Sequence, residues 1–122
     1  LFSVNRVTAD YVPGLFARNE RLVCMFETDR GLMAVVLVGA MIVAGIQTVW
    51  SGRVCPRPEN PRQLIDYSKT APAIELVKGA ELGRFCLGST VIVLFESAAV
   101  QINPTFRTGS AVRMGQTLAI ST

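Results

Sequence analysis

The sequence predicts one mainly β domain, a sandwich or barrel of short strands. Three observations lead there: β-branched and aromatic residues gather in short runs, turn-forming residues punctuate those runs, and half of the 122 residues are hydrophobic, enough for one compact core.

Residues 1–20 mix turn formers (Asn5, Asp10, Pro13, Gly14, Asn19) with apolar patches, which predicts irregular chain with a brief helical turn. "RLVCMFETDRG" then reads as a strand closed by a polar turn at Thr28-Asp29-Arg30-Gly31. From Gly31 to Gly52 no charged residue occurs for twenty-two positions. That length meets the criterion for a membrane-spanning helix, with Arg30 and Arg53 as flanks and Trp50 as an interface anchor. The favoured alternative is two buried strands joined near Gly39-Ala40, because the stretch is rich in valine and isoleucine and would pack with the other strands.

Four prolines (Pro56, Pro58, Pro61, Pro72) fall within seventeen residues and mark 53–72 as a surface loop. Residues 73–96 give two strand-like runs broken at Lys78-Gly79. The remainder gives short strands with turns at Asn103-Pro104, Gly109-Ser110 and Gly115-Gln116.

Composition narrows the chemistry. The net charge is +3, but the ten arginines and two lysines are scattered singly, which argues against a nucleic-acid partner and leaves weak attraction to an anionic membrane open. Aromatics, at 7%, are too few for a base-stacking platform. Cys24, Cys55 and Cys86 form no close pair and the chain has no histidine, so reduced, packed thiols are predicted in place of a zinc site or a disulfide framework. Without an imidazole, Ser-His-Asp and Cys-His catalysis are excluded within these residues.

One segment stands apart. "GRFCLGSTVIVLF", residues 83–95, reads as a buried strand interrupted by Gly88-Ser89-Thr90. A glycine there commonly marks a bulge. It also offers an unhindered carbonyl that the hydroxyl of the next serine can attack, shifting the peptide bond to an ester. Elimination across the serine then breaks the chain and leaves a dehydroalanine, which tautomerises and hydrolyses to an N-terminal pyruvoyl group. Spacing alone leaves both readings open.

The flanking residues resemble a known family. "LFSVN" at 1–5, "LFARNERLVCMFET" at 15–28, "VLVGAMIVAGIQTVWSG" at 36–52 and above all "KGAELGRFCLGSTVIVLF" at 78–95 are similar to the bacterial phosphatidylserine decarboxylases. The resemblance covers nearly all of the chain except the proline-rich loop. It implies a self-processing, pyruvoyl-dependent carboxy-lyase cleaved between Gly88 and Ser89. Residues 1–88 would end the larger subunit and residues 89–122 would begin the smaller one, headed by a pyruvoyl cofactor made from Ser89. That carbonyl would form a Schiff base with the amine of phosphatidylserine and act as the electron sink as carbon dioxide leaves, giving phosphatidylethanolamine. Thr90 would help set the local geometry, against the plainer reading of a strand threonine.

The resemblance further implies a histidine-bearing segment and an acidic residue upstream of "LFSVN" that provide the base for self-cleavage. Arg6 stands where members often carry histidine. These residues are accordingly expected to be the C-terminal part of a longer enzyme, dependent on the upstream part for processing of Ser89. The whole enzyme is expected to be homodimeric and peripheral on the cytoplasmic side of the inner membrane, attached mainly through upstream helices. The closing "AVRMGQTLAIST" is similar to the ending of lipoyl- and biotinyl-carrier sandwiches, whose architecture the family core resembles, although no carrier lysine is present. Lys69 and Lys78 are expected to be solvated, and Arg84 and Arg107 are candidates for anion contacts by charge type alone. Two other readings stay open at this stage: a non-catalytic carrier-like β domain, and a small protein spanning a membrane at 31–52.

Overall fold

The fold was analysed in a computed structural model, which describes residues 5–40, 45–54, 62–86 and 90–122. Helix α1 (Arg6–Tyr11) starts at Asn5, whose side chain accepts from the Thr8 N–H at 3.0 Å while Thr8 Oγ1 accepts from the Asn5 N–H at 3.0 Å. This reciprocal capping box satisfies two donors that a helix start otherwise leaves unpaired. Gly14, at φ +63°, turns the chain into α2 (Leu15–Arg18), which buries Leu15.

Strands β1 (Arg21–Thr28) and β2 (Gly31–Val38) form a hairpin closed by Asp29 and Arg30. Thr28 Oγ1 donates to the Gly31 carbonyl at 2.7 Å and accepts from the Arg30 N–H at 3.1 Å, and Gly31 takes φ +97°. That left-handed backbone favours glycine, whereas the nearby Glu96 carboxylate is a side-chain tip that can move aside. β2 lies between β1 and β6 (Thr90–Phe95) in the first sheet. In the second sheet β3 (Ile46–Thr48) lies between β4 (Gly52–Val54) and β5 (Gly83–Phe85), antiparallel to both. The third pairs β7 (Val100–Ile102) with β8 (Ala119–Ser121), also antiparallel.

The protein is thus mainly β, built from small sheets, and the described strands close no barrel. The long uncharged stretch takes the strand form: β2 and β3 lie within its described parts, and no helix among the described residues is long and apolar enough to cross a membrane. Trp50 packs edge-on against Tyr67 with ring centroids 6.3 Å apart. Residues 62–72 of the proline-rich loop contain no strand, and 55–61 lie outside the described residues. The turns expected after residue 100 fall within one residue of their predicted places. One expectation fails, since 73–77 forms no strand: among the described residues no strand pairs with it, and propensity without a partner does not make a sheet.

The chain divides into two compact units, residues 1–22 with 37–91 and residues 23–36 with 92–122. In the first, Leu15, Leu37, Val38, Ala40 and Ile46 are buried together with the polar Asn19 and Thr48. Thr48 Oγ1 lies 3.0 Å from Ser51 Oγ and accepts from the Ser51 N–H at 3.2 Å, which satisfies a hydroxyl that would otherwise be costly to bury. In the second, only Cys24 and Val35 are buried among the described hydrophobic residues.

This contrast sets up an expected pair of outcomes. Val38 is fully buried and Val77 is 79% exposed, both in the first unit. In urea unfolding, Val38→Ala should cost about 1–3 kcal/mol, while the same change at Val77 should stay within about 0.5 kcal/mol.

Candidate functional site

The Gly-Ser step joins two different sheets. β5 belongs to the sheet centred on β3 and β6 to the sheet centred on β2. Gly83–Phe85 and Thr90–Phe95 are therefore strands of different sheets, and the bulge expected at Gly88 lies outside the described residues. Leu87, Gly88 and Ser89 lie outside the described residues, and Thr90 is the half-buried first residue of β6.

What the structure does define is how the chain is held on either side. Gly83, Arg84 and Phe85 sit opposite Thr48, Gln47 and Ile46. The ladder continues beyond the strand at both ends, with Val49 N–H donating to the Leu82 carbonyl at 3.1 Å and Cys86 N–H donating to the Gly45 carbonyl at 3.1 Å. The backbone is thereby hydrogen-bonded up to the residue just before Leu87. Two glycines permit this close approach: a side chain at Gly83 would collide with the Gln47 carbonyl oxygen, and one at Gly45 would come within 2.6 Å of Cys86 Sγ. Gln47 Nε2 also lies 3.8 Å from that sulfur.

Beside the β3–β5 ladder is a polar cleft of about 120 Å³ lined by Gln47, Thr48, Val49, Glu81, Gly83 and Arg84. Its guanidinium is already engaged: Arg84 Nε donates to Glu81 Oε1 at 2.7 Å and Arg84 Nη2 to Glu81 Oε2 at 3.0 Å. The Glu81 hydrogen bonds and charge hold Arg84 still more firmly protonated than usual. Arg107 is likewise committed, with Nη1 donating to the Phe106 carbonyl at 3.0 Å and to that of Pro104. Neither arginine is presented as a free anion-binding group. Lys69 and Lys78 are exposed, as expected.

The thiols differ from the sequence expectation. Cys24 is buried, and burial pushes its thiol above its ordinary value, but Cys86, the last described residue before Leu87, is exposed and is not a packed apolar residue. Cys55 lies outside the described residues. Sequence reasoning missed the Gly83–Gln47 and Gly45–Cys86 approaches. The available signal was glycine at or beside a strand, which often marks close backbone contact, but it carries no address for the partner.

Gly83→Ala should lower stability by about 1–3 kcal/mol in thermal or urea unfolding, because a backbone carbonyl cannot swing aside as a side-chain tip can. In a Cys55→Ser background, a thiol reagent near neutral pH should modify Cys86 promptly and Cys24 only under unfolding conditions, as followed by mass spectrometry.

Comparison with known proteins gives concordant matches. Residues 1–120 match the family described as Phosphatidylserine decarboxylase. Among individual relatives, the chain is 61% identical over 120 residues to a phosphatidylserine decarboxylase proenzyme of Pseudomonas putida, covering 98% of this chain and 42% of that protein. A protein of the same name from Pseudomonas entomophila is 60% identical over 121 residues, with 98% and 42% covered, and one from Ectopseudomonas mendocina is 58% identical over 118 residues, with 97% and 41% covered. The chain thus spans well under half the length of these relatives.

Proposed function

Because the chain belongs to the phosphatidylserine decarboxylase family, we propose that it is part of a proenzyme that cleaves itself between Gly88 and Ser89 and then decarboxylates phosphatidylserine to phosphatidylethanolamine. The observation that carries the reading is the Gly88-Ser89 pair at the crossover from β5 to β6, with the preceding backbone hydrogen-bonded as far as Cys86.

Ser89 and Gly88 contain the atoms this chemistry needs. The Ser89 hydroxyl adds to the Gly88 carbonyl, whose own residue has no side chain, and the peptide nitrogen leaves to give an ester. Loss of the Ser89 α-proton expels the Gly88 carboxylate from the β-carbon and breaks the chain. Tautomerisation followed by addition of water releases ammonia and leaves a pyruvoyl group at residue 89. That group supplies an electrophilic carbonyl and an electron sink for decarboxylation. Thr90, as the first residue of β6, holds the chain on the product side of the cleaved bond. The proton acceptor for Ser89 is assigned to the upstream histidine-bearing segment that the family resemblance implies, since these 122 residues contain no imidazole.

The reading also assigns residues 1–88 to the larger and 89–122 to the smaller subunit, with the strands arranged as in carrier-type sandwiches. A lipid substrate favours a peripheral enzyme, assigned here to the cytoplasmic side of the inner membrane, and the assembled enzyme is a homodimer.

Ser89→Ala, made in the full-length proenzyme, tests the core of this reading. The variant should remain a single chain on a denaturing gel and release no carbon dioxide from phosphatidylserine above an enzyme-free control. A Ser89→Ala proenzyme that decarboxylates like the wild type would overturn it.

A further inference from the structure

β6 is apolar on both faces and only partly covered on each. Val91, Val93 and Phe95 point to one side and are 49%, 39% and 39% exposed, and Ile92 and Leu94 point to the other and are 38% and 55% exposed. Among the described strands β6 also terminates its sheet, with β2 as its neighbour. Five consecutive large hydrophobic residues on an open edge strand are the opposite of the charges and prolines that protect natural edges. A near-continuous apolar run belongs to strands covered on both faces. The same unit carries Val23 and Met25 on β1, 50% and 62% exposed, while among its described hydrophobic residues only Cys24 and Val35 are buried.

We propose that β6 is an interior strand of the full-length proenzyme, and that the polypeptide lying outside these 122 residues covers both of its faces. The length available supports this occupant, since the chain spans only 42% of the relatives to which it is 60–61% identical. Composition supports it too: residues 90–95 carry no charge, which matches an apolar protein interior and gives no electrostatic preference for an anionic lipid surface. The inference rests on the family reading above and adds a consequence for it. β6 begins one residue after Ser89, so covering β6 restrains the product side of the Gly-Ser step as the β3–β5 ladder restrains the other. Docking of the rest of the proenzyme onto β6 is therefore a precondition for self-cleavage.

Hydroxyl-radical footprinting of the full-length Ser89→Ala proenzyme tests the docking apart from the chemistry. Oxidation of Leu94 and Phe95 should be about tenfold or more slower in the native protein than in denaturant, because labelling then requires local opening. Native and denatured rates within a factor of about two would overturn the proposal. So would protection lost on dilution to monomer, which identifies a second copy as the cover, or protection gained only with phosphatidylglycerol vesicles, which identifies a lipid surface. In the full-length protein with Ser89 intact, Leu94→Asp should abolish cleavage and Leu94→Met should retain it. Wild-type proenzyme that stays uncleaved with Leu94 protected would count against the family reading alone. Wild-type proenzyme that cleaves with Leu94 freely oxidised would count against the docking alone.

Discussion

The hydrogen bond from Cys86 N–H to the Gly45 carbonyl, at 3.1 Å, is the constraint on which the rest of the site depends. It carries the β3–β5 ladder one residue beyond β5, up to the approach to Leu87. Gly83 lets β5 sit against the Gln47 carbonyl at the other end of the pairing, and Gly45 leaves the Cys86 side chain room beside the bond. A self-cleaving peptide needs its carbonyl and its hydroxyl held in one geometry long enough to react, and a hydrogen-bonded strand immediately upstream removes much of the freedom that would oppose this.

Burial is distributed unevenly around that constraint. The unit containing β3, β4 and β5 has a core of aliphatic side chains and a satisfied buried hydroxyl at Thr48. The unit containing most of β6, together with β7 and β8, has few buried hydrophobic residues and many exposed ones. The hydrophobic effect makes such a surface unfavourable in isolation. The upstream anchor of the Gly-Ser step is thus complete within the described residues, while the downstream strand presents a surface suited to a further layer of protein.

Much of the architecture was legible in the sequence because it is encoded locally. The turn at Asp29 and Arg30 follows from Thr28 and Gly31, and the turns after residue 100 follow from their glycines, Asn103 and Pro104. The strand form of the uncharged stretch followed from its β-branched residues. What failed was non-local. The run at 73–77 has strand composition but no partner among the described residues, and Cys86 is exposed because of where β5 ends, which its neighbours in sequence do not specify. Likewise, the division of residues 83–95 between two sheets depends on pairing with β3 and β2, contacts set by strands more than thirty residues away in the chain. The chemistry proposed for Gly88 and Ser89 rests on residue type and resemblance, whereas the restraints on the described residues beside them required the register.

The most direct measurement is the intact mass of the full-length proenzyme after purification, with and without a carbonyl-trapping amine. Two fragments that divide between Gly88 and Ser89, the one beginning at residue 89 carrying the trap, are the result the account requires. A single uncleaved chain that takes up no trap yet decarboxylates phosphatidylserine would contradict it.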